Sequence, residues 1–184
     1  MTTHKHDSQA QEFSLAAFTP DGYDRGASYM KQILWMVASS TLITKWWLPN
    51  SWRISILRNF GSRIGANVII RHNVRIHWPW KLEVGDNSWI GEQAWILNLE
   101  PVRIGHDTCI SQGVMLCTGS HLRRTSNFAF DNAPITIGDV VWIATGSTIL
   151  RGVHVGSNST VGATCLITKD VPQNSVVLAP SSQT

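Results

Sequence analysis

The chain has 184 residues with Ile, Leu and Val along most of its length, which suits one principal fold with a continuous core. Its three cysteines, Cys109, Cys117 and Cys165, have neither an even count nor a C-x-x-C spacing, which argues against a disulfide framework or a cysteine-based zinc site and fits a reducing, cytoplasmic setting. A formal charge of +3 and a pI near 9.0 favour anionic ligands. Arg123–Arg124 is the only adjacent basic pair and no Lys/Arg stripe with interleaved aromatics occurs, so no nucleic acid is expected as a partner.

Residues 1 to about 25 are polar and mixed and read as an extended or poorly ordered arm, without the basic-then-apolar signature of a secretory leader. From about Ala27 to Trp47, the residues Met30, Ile33, Leu34, Val37 and Leu42 have helical spacing. After Pro49-Asn50-Ser51 a second apolar segment runs from Trp52 to Phe60 and stops at Gly61. Ser39, Ser40, Thr41, Thr44 and Lys45 interrupt the first apolar stretch, so a membrane span is not expected. Two short helices are predicted to cap the rest of the chain, their Trp and Ile residues covering an open core end. A peripheral membrane contact through Trp35, Trp46 and Trp47 is the other reading.

Downstream the period changes to six. Ile137, Ile143, Ile149, Val155, Val161 and Ile167 succeed one another without a break, and the same spacing gives Ile64, Ile70, Ile76, then Val84, Ile90, Ile96, then Ile104, Ile110, Leu116. The first member of each of the five groups is followed by glycine, at Gly65, Gly85, Gly105, Gly138 and Gly156, as suits a corner where a side chain would clash or φ must be unusual. Four residues past each aliphatic position the side chain is usually small or β-branched, as at Val68, Ser88, Thr108, Ser147 and Ser159. Both positions should face inward. Three hexapeptides per turn then build an all-β solenoid, a parallel β-helix of about five coils. The expected organisation is an arm and helical cap over 1–62, the β-helix over 63–171 with a loop at 117–136, and a tail over 172–184.

Extra residues lie between Ile76 and Val84, between Ile96 and Ile104, and, as a long insert, between Leu116 and Ile137. All three come after the third strand of a coil, and coils stack about 4.8 Å apart, so these corners should share one edge. Trp78 and Trp80 fall on the first corner, Asn98 and Glu100 on the second, and His121 on the third. An imidazole at the mouth of the insert has a pKa suited to taking a proton from a hydroxyl. Tryptophan faces with nearby amide and carboxylate groups suit a sugar, although Trp78 and Trp80 could equally anchor the corner to the helices.

The stretch from Ile64 to Asp170 resembles the hexapeptide-repeat acetyltransferases. The closest pattern is that of the colanic-acid biosynthesis O-acetyltransferases, carried by Phe60-Gly61, His77-Trp78-Pro79-Trp80-Lys81-Leu82, Asn98-Leu99-Glu100-Pro101-Val102 and Cys117-Thr118-Gly119-Ser120-His121. The resemblance implies a left-handed β-helix, a homotrimer, and acetyl transfer from acetyl-CoA to a sugar hydroxyl in exopolysaccharide biosynthesis at the inner face of the cytoplasmic membrane. As in the related galactoside, maltose and nodulation-factor enzymes, it makes His121 the base. It further implies acetyl-CoA binding in a groove between subunits by Trp142, Thr145, Ala163, Thr168 and Lys169, with no metal. After Asn174 the chain departs from the pattern: a basic C-terminal segment is missing, leaving Arg151 or Arg124 as substitutes for a grip on the adenine 3′-phosphate. Other acceptors, such as serine or an amino sugar, and a non-catalytic scaffold are the alternatives. A zinc-dependent carbonic anhydrase would need three convergent histidines, whereas His72, His77, His106 and His154 lie on different coils or faces.

Overall fold

Each corner of the solenoid solves the same local problem, which is to turn an extended chain in a few residues without leaving backbone polar groups unpaired. The residue three positions past the buried aliphatic adopts a left-handed φ at Asn67, Asn73, Asn87, Gln93, Asp107, Gly113, Val140, Gly146, Gly152, Asn158, Thr164 and Asn174. Asparagine predominates there because its short polar side chain tolerates that region best after glycine. The glycines that open the groups serve a different purpose. Gly85 and Gly105 have no positive φ, but a Cβ would lie 2.5 Å from the His106 amide nitrogen in one and 2.6 Å from the Gly138 carbonyl carbon in the other. Close approach of the next coil therefore requires them.

The structure, a computed structural model, describes residues 14–20 and 22–180. Of the arm expected over residues 1 to about 25, residues 1–13 and 21 lie outside the described residues, and Leu15–Ala17 form a 3-10 turn. Two compact units make up the chain: residues 25–119 with 132–184, and residues up to 24 with 120–131.

The larger unit is the solenoid and its cap. Coil 1 comprises β1 (Arg63–Ile64), β2 (Ile69–Ile70) and β3 (Arg75–Ile76), and coil 2 comprises β4 (Leu82–Val84), β5 (Trp89–Ile90) and β6 (Trp95–Leu97). Coil 3 holds β7 (Val102–Ile104), β8 (Cys109–Ile110) and β9 (Met115–Cys117), and coil 4 holds β10 (Ile135–Ile137), β11 (Trp142–Ile143) and β12 (Thr148–Leu150). Coil 5 is β13 (His154–Val155), β14 (Thr160–Val161) and β15 (Leu166–Ile167). They form three parallel sheets, β1-β4-β7-β10-β13, β2-β5-β8-β11-β14-β16 and β3-β6-β9-β12-β15, where β16 is Val176–Val177. The long insert leaves the register intact, since Val102 still pairs with Ile135 and Ile104 with Ile137.

The solenoid continues beyond the expected five coils. Val171 bridges to Val155 and β16 pairs with β14, so a partial sixth coil occupies what was expected to be tail. Val171 and Val177 are again six apart, but Val171 comes only four positions after Ile167, which hid both from an unbroken count of six. The repeat aliphatics from Ile64 to Val171 are buried, Val177 at the open end is half-buried, and the small inward positions add polar rungs. Ser88 Oγ donates to the Gly105 carbonyl at 2.7 Å and Thr108 Oγ1 to that of Gly138 at 2.9 Å. No buried side-chain nitrogen or oxygen among the described residues lacks a partner.

Two helices close the open edge of coil 1, α1 (Tyr29–Ala38) and α2 (Asn50–Asn59). The first continues as a π-helical turn over Ser39–Ile43, where the Thr41 hydroxyl back-bonds to the Val37 carbonyl at 2.7 Å. Each edge strand of coil 1 receives a cap from a side chain. Arg58 donates to the carbonyls of Ile64 and Gly65, Asn50 brackets Val68 and Ile70, and Trp35 Nε1 donates to the His77 carbonyl at 2.9 Å. Arg53 is buried with its guanidinium on the carbonyls of Ile43, Lys45, Leu48 and Ile70, and burial, then Arg71 nearby, lowers its pKa. Trp35, one of the three tryptophans considered for a membrane contact, is 1% exposed and belongs to the core. Its indole closes a strand edge and cannot reach a lipid surface.

Candidate active site

The three elongated corners stack within the solenoid unit. In the first, Trp78 leads into a 3-10 turn, Pro79–Lys81. Asn98 from the second reaches back to it: its Oδ1 accepts from the Trp78 amide at 2.9 Å and its Nδ2 donates to the Trp78 carbonyl at 2.6 Å. The third corner supports the second through Thr118, whose hydroxyl accepts from the Glu100 amide at 3.0 Å and donates to the Leu97 carbonyl. Asn98 is fully buried and Trp78 is 7% exposed, so both side chains hold the edge together from within. Trp80 stacks on Trp78 with ring centroids 4.9 Å apart, carries the Lys31 ammonium 5.2 Å from its ring, and donates its indole N–H to the Arg25 carbonyl. These contacts give Trp80 the anchoring position. Glu100 is half-buried.

His77 shares this corner, packed edge-on against Trp78 at 4.3 Å. Burial, reinforced by Arg25 and Lys81, lowers its pKa from the ordinary imidazole value. From sequence His77 stood out only as part of a motif and as a metal-ligand candidate; among the described residues, no cluster of three or more potential ligands forms.

His121 belongs to the smaller unit. Residues 120–131 double back as a hairpin, with the Leu122 amide donating to the Ala129 carbonyl and the Asp131 amide to the Ser120 carbonyl, both at 2.8 Å. His121 Nδ1 lies 2.8 Å from the Phe128 carbonyl oxygen. A carbonyl can only accept, so Nδ1 carries the proton, and in the neutral ring the lone pair sits on Nε2. Phe128 has a φ of +50°, costly for a bulky residue, and this backbone points the carbonyl at the histidine. The imidazole stacks on Phe128 at 4.3 Å and Phe130 at 5.0 Å, and Phe18 meets its edge at 5.6 Å. Sequence reasoning found the histidine and missed this aromatic setting; the Phe128-Ala129-Phe130 pattern inside a polar insert was the available signal.

The residues expected to bind the donor lie along coils 4 and 5, all of them exposed. Trp142 is 53% exposed and donates its indole N–H to Ser111 Oγ at 3.0 Å, while the Thr145 hydroxyl donates to the Gln112 carbonyl at 2.8 Å. The Thr164 amide donates to the Thr145 carbonyl, tying the two coils together at the corner. Among the described residues, nothing accepts a hydrogen bond from the backbone N–H of Thr145 or Ala163. The equivalent amides on a neighbouring corner column are occupied, Ala66 by Asp86 and His106 by Asp139. Exposed backbone donors followed by Lys169 suit an amide-bearing ligand with a phosphate end.

Residues 134–169 match the family described as bacterial transferase hexapeptide (six repeats). The chain is 39% identical over 166 residues to WcaF of Escherichia coli K12, an acetyltransferase named for colanic acid biosynthesis, covering 88% of this chain and 90% of that one. Among solved structures it superposes on the hexapeptide-repeat acetyltransferase VCA0836 of Vibrio cholerae with a TM-score of 0.74 at 25% identity, covering 83% and 89% of the two chains. A galactoside acetyltransferase solved with coenzyme A gives a TM-score of 0.74 at 25% identity over 82% and 76%. With its repeat built as three parallel sheets and a relative aligned over nearly its whole length, the chain belongs to the hexapeptide-repeat acetyltransferases, acyltransferases that use acetyl-CoA as donor.

Proposed function

We propose that the protein transfers acetyl from acetyl-CoA to a sugar hydroxyl of an exopolysaccharide repeat unit, free or lipid-linked, in the cytoplasm at the inner face of the membrane, and that it works as a homotrimer. Relatives named for colanic acid biosynthesis and for a galactoside support a sugar acceptor. Among the described residues, no helix is long and apolar enough to cross a membrane. The observation that carries the mechanism is the His121 Nδ1 contact with the Phe128 carbonyl, which leaves Nε2 as the proton acceptor.

In the reaction His121 Nε2 takes the hydroxyl proton as the acceptor oxygen bonds to the thioester carbonyl carbon. The tetrahedral intermediate collapses with cleavage of the C–S bond, and the imidazolium returns its proton to the departing thiolate. Trp142, Thr145, Ala163, Thr168 and Lys169 are assigned to the donor, with Lys169 beside a phosphate. Glu100 is assigned to the acceptor, and Trp78, Trp80 and Asn98 to the edge that positions it. A groove completed by a neighbouring subunit suits the exposed, shallow setting of the donor residues.

Free-thiol release with acetyl-CoA and a panel of sugars, serine and amino sugars tests this reading. His121→Ala should lower kcat/KM by on the order of 10²–10⁴ with the thermal transition unchanged, while Lys169→Ala should mainly raise the KM for acetyl-CoA, by about tenfold. Near wild-type turnover in His121→Ala would sink the base assignment. Transfer to serine alone would replace the sugar reading.

A further inference from the structure

Between Asp24 and Glu83 the chain contains no Asp or Glu, yet this segment carries nine of its 15 Lys and Arg residues. The remainder of the sequence is therefore net acidic. The basic segment is the helical cap and the first coil, the same part of the molecule that exposes large apolar side chains. Along α1, Met30, Leu34 and Val37 recur at helical spacing and are exposed, while Gln32 and Trp35 on the opposite face are buried. Past the π-helical turn, Trp46 is 79% and Trp47 53% exposed, and Trp52 projects from the start of α2.

The turn carrying Trp46 and Trp47 is held on both sides. Ile43 and Leu48 are buried, and the Arg53 guanidinium binds the carbonyls of Ile43, Lys45 and Leu48. A buried arginine thus fixes a loop whose exposed residues, Lys45, Trp46 and Trp47, are a cation and two indoles. Soluble surfaces rarely gather so much apolar area, and indoles with flanking cations are the side chains that suit the headgroup layer of a bilayer. A second copy of the cap fits this surface poorly, because it would set the exposed cations Lys45 and Arg58 against their own copies, with no carboxylate in the cap to pair them.

We propose that the helical cap is a docking surface for an anionic lipid bilayer, with Trp46, Trp47, Trp52 and the exposed face of α1 entering the headgroup region and the exposed Lys45 beside the two indoles facing acidic lipids. Docking itself does not depend on the enzymatic reading. Its use, bringing the enzyme to a lipid-linked glycan, rests on the proposed acetyl transfer.

The test is co-sedimentation of the whole protein with vesicles of phosphatidylcholine alone or mixed with phosphatidylglycerol, at low and high salt. The wild type should pellet with the acidic vesicles, weaken with salt and bind neutral vesicles far less; a Trp46→Ser/Trp47→Ser variant should lose about tenfold in partitioning. Both tryptophans are exposed, so transfer to a soluble sugar without vesicles should stay within about twofold of wild type, which separates docking from catalysis. Equal binding by that variant, equal binding to neutral vesicles, or a cap-dependent dimer by light scattering with no vesicle binding would each overturn the proposal. Absence of any acetyl transfer in both proteins would defeat the enzymatic reading and leave the docking result standing.

Discussion

Asn98 has its amide closed on both backbone groups of Trp78, with no exposed surface of its own. Removing that amide strands the buried Trp78 N–H, whereas the Trp78 C=O keeps the Lys81 amide at 3.1 Å, and an unpaired buried group costs about 1–3 kcal/mol. Asn98→Ala should therefore lower stability by about 1–3 kcal/mol, read as a shift in urea midpoint at unchanged slope. From sequence the residue was legible as polar at an elongated corner, but whether such a side chain turns outward to a ligand or inward to a neighbouring coil depends on register between coils. His77 offers a second test at this scale. Its folded pKa is depressed, so the unfolded chain binds the proton first, and stability falls as pH drops below about 6.5 toward the folded value. His106 has the opposite shift, raised by its hydrogen bond to Asp107, and contributes stability that is present below about 6.5 and lost as pH rises through its folded pKa. The comparison must therefore be between wild type and His77→Gln: denaturation at pH 7.5 and pH 5 should show a smaller loss of stability in the variant. An equal loss would remove His77 from the account.

At the scale of the element, the repeat was readable because one physical constraint recurs on every face: an aliphatic that must point inward and a corner that must turn within a few residues. Sequence alone merges two kinds of corner position, and the structure separates them. Gly105 is required by the next coil, with a Cβ only 2.6 Å from the Gly138 backbone, whereas Gly113 has a φ of +66° and nothing closer than 4.0 Å to its added Cβ. Gly113 occupies the position that asparagine fills at Asn67, Asn73 and Asn87. Gly105→Ala should thus destabilise by more than about 2 kcal/mol, while Gly113→Asn should stay within about 1 kcal/mol of wild type by the same denaturation measurement. Val140 and Thr164 hold the same left-handed φ despite branched side chains, and nothing in the surrounding contacts explains that choice. The helices that cap coil 1 were legible from their spacing, but the polar side chains that pair its strand edges were not. Asn50 read only as part of the break between the helices and nothing singled out Arg53 or Arg58; the exposed strand edges beneath them explain why they point at the core.

At the scale of the whole molecule the three faces of the solenoid differ in a way that bears on assembly. On the first sheet the outward side chains are Arg63, Glu83 and Arg103, joined by ion pairs, and this face suits water. On the second the outward row runs Ile69, Trp89, Cys109, Trp142, Thr160, Val176, and Trp89, Trp142 and Val176 are more than half exposed. The third presents Arg75, Trp95, Met115, Thr148 and Leu166 in one row, with the Arg75 guanidinium 4.1 Å from the Trp95 ring and Leu166 exposed. A largely apolar face and a mixed one meeting at one edge, with a charged face opposite, allow each chain to offer one face to the next around a three-fold axis. Such heterologous contacts close into a ring. Trp142 lies in the second row and is also assigned to the donor site, so Trp89, outside that assignment, is the cleaner probe. Trp89→Glu places a carboxylate on the apolar face without disturbing the buried Ile90 beside it. Light scattering should give a trimer for the wild type and smaller species for the variant, with acetyl-CoA turnover lost in proportion to the trimer. A monomeric variant that kept full turnover would show that one chain holds the complete donor site, and the homotrimer would then have no catalytic role.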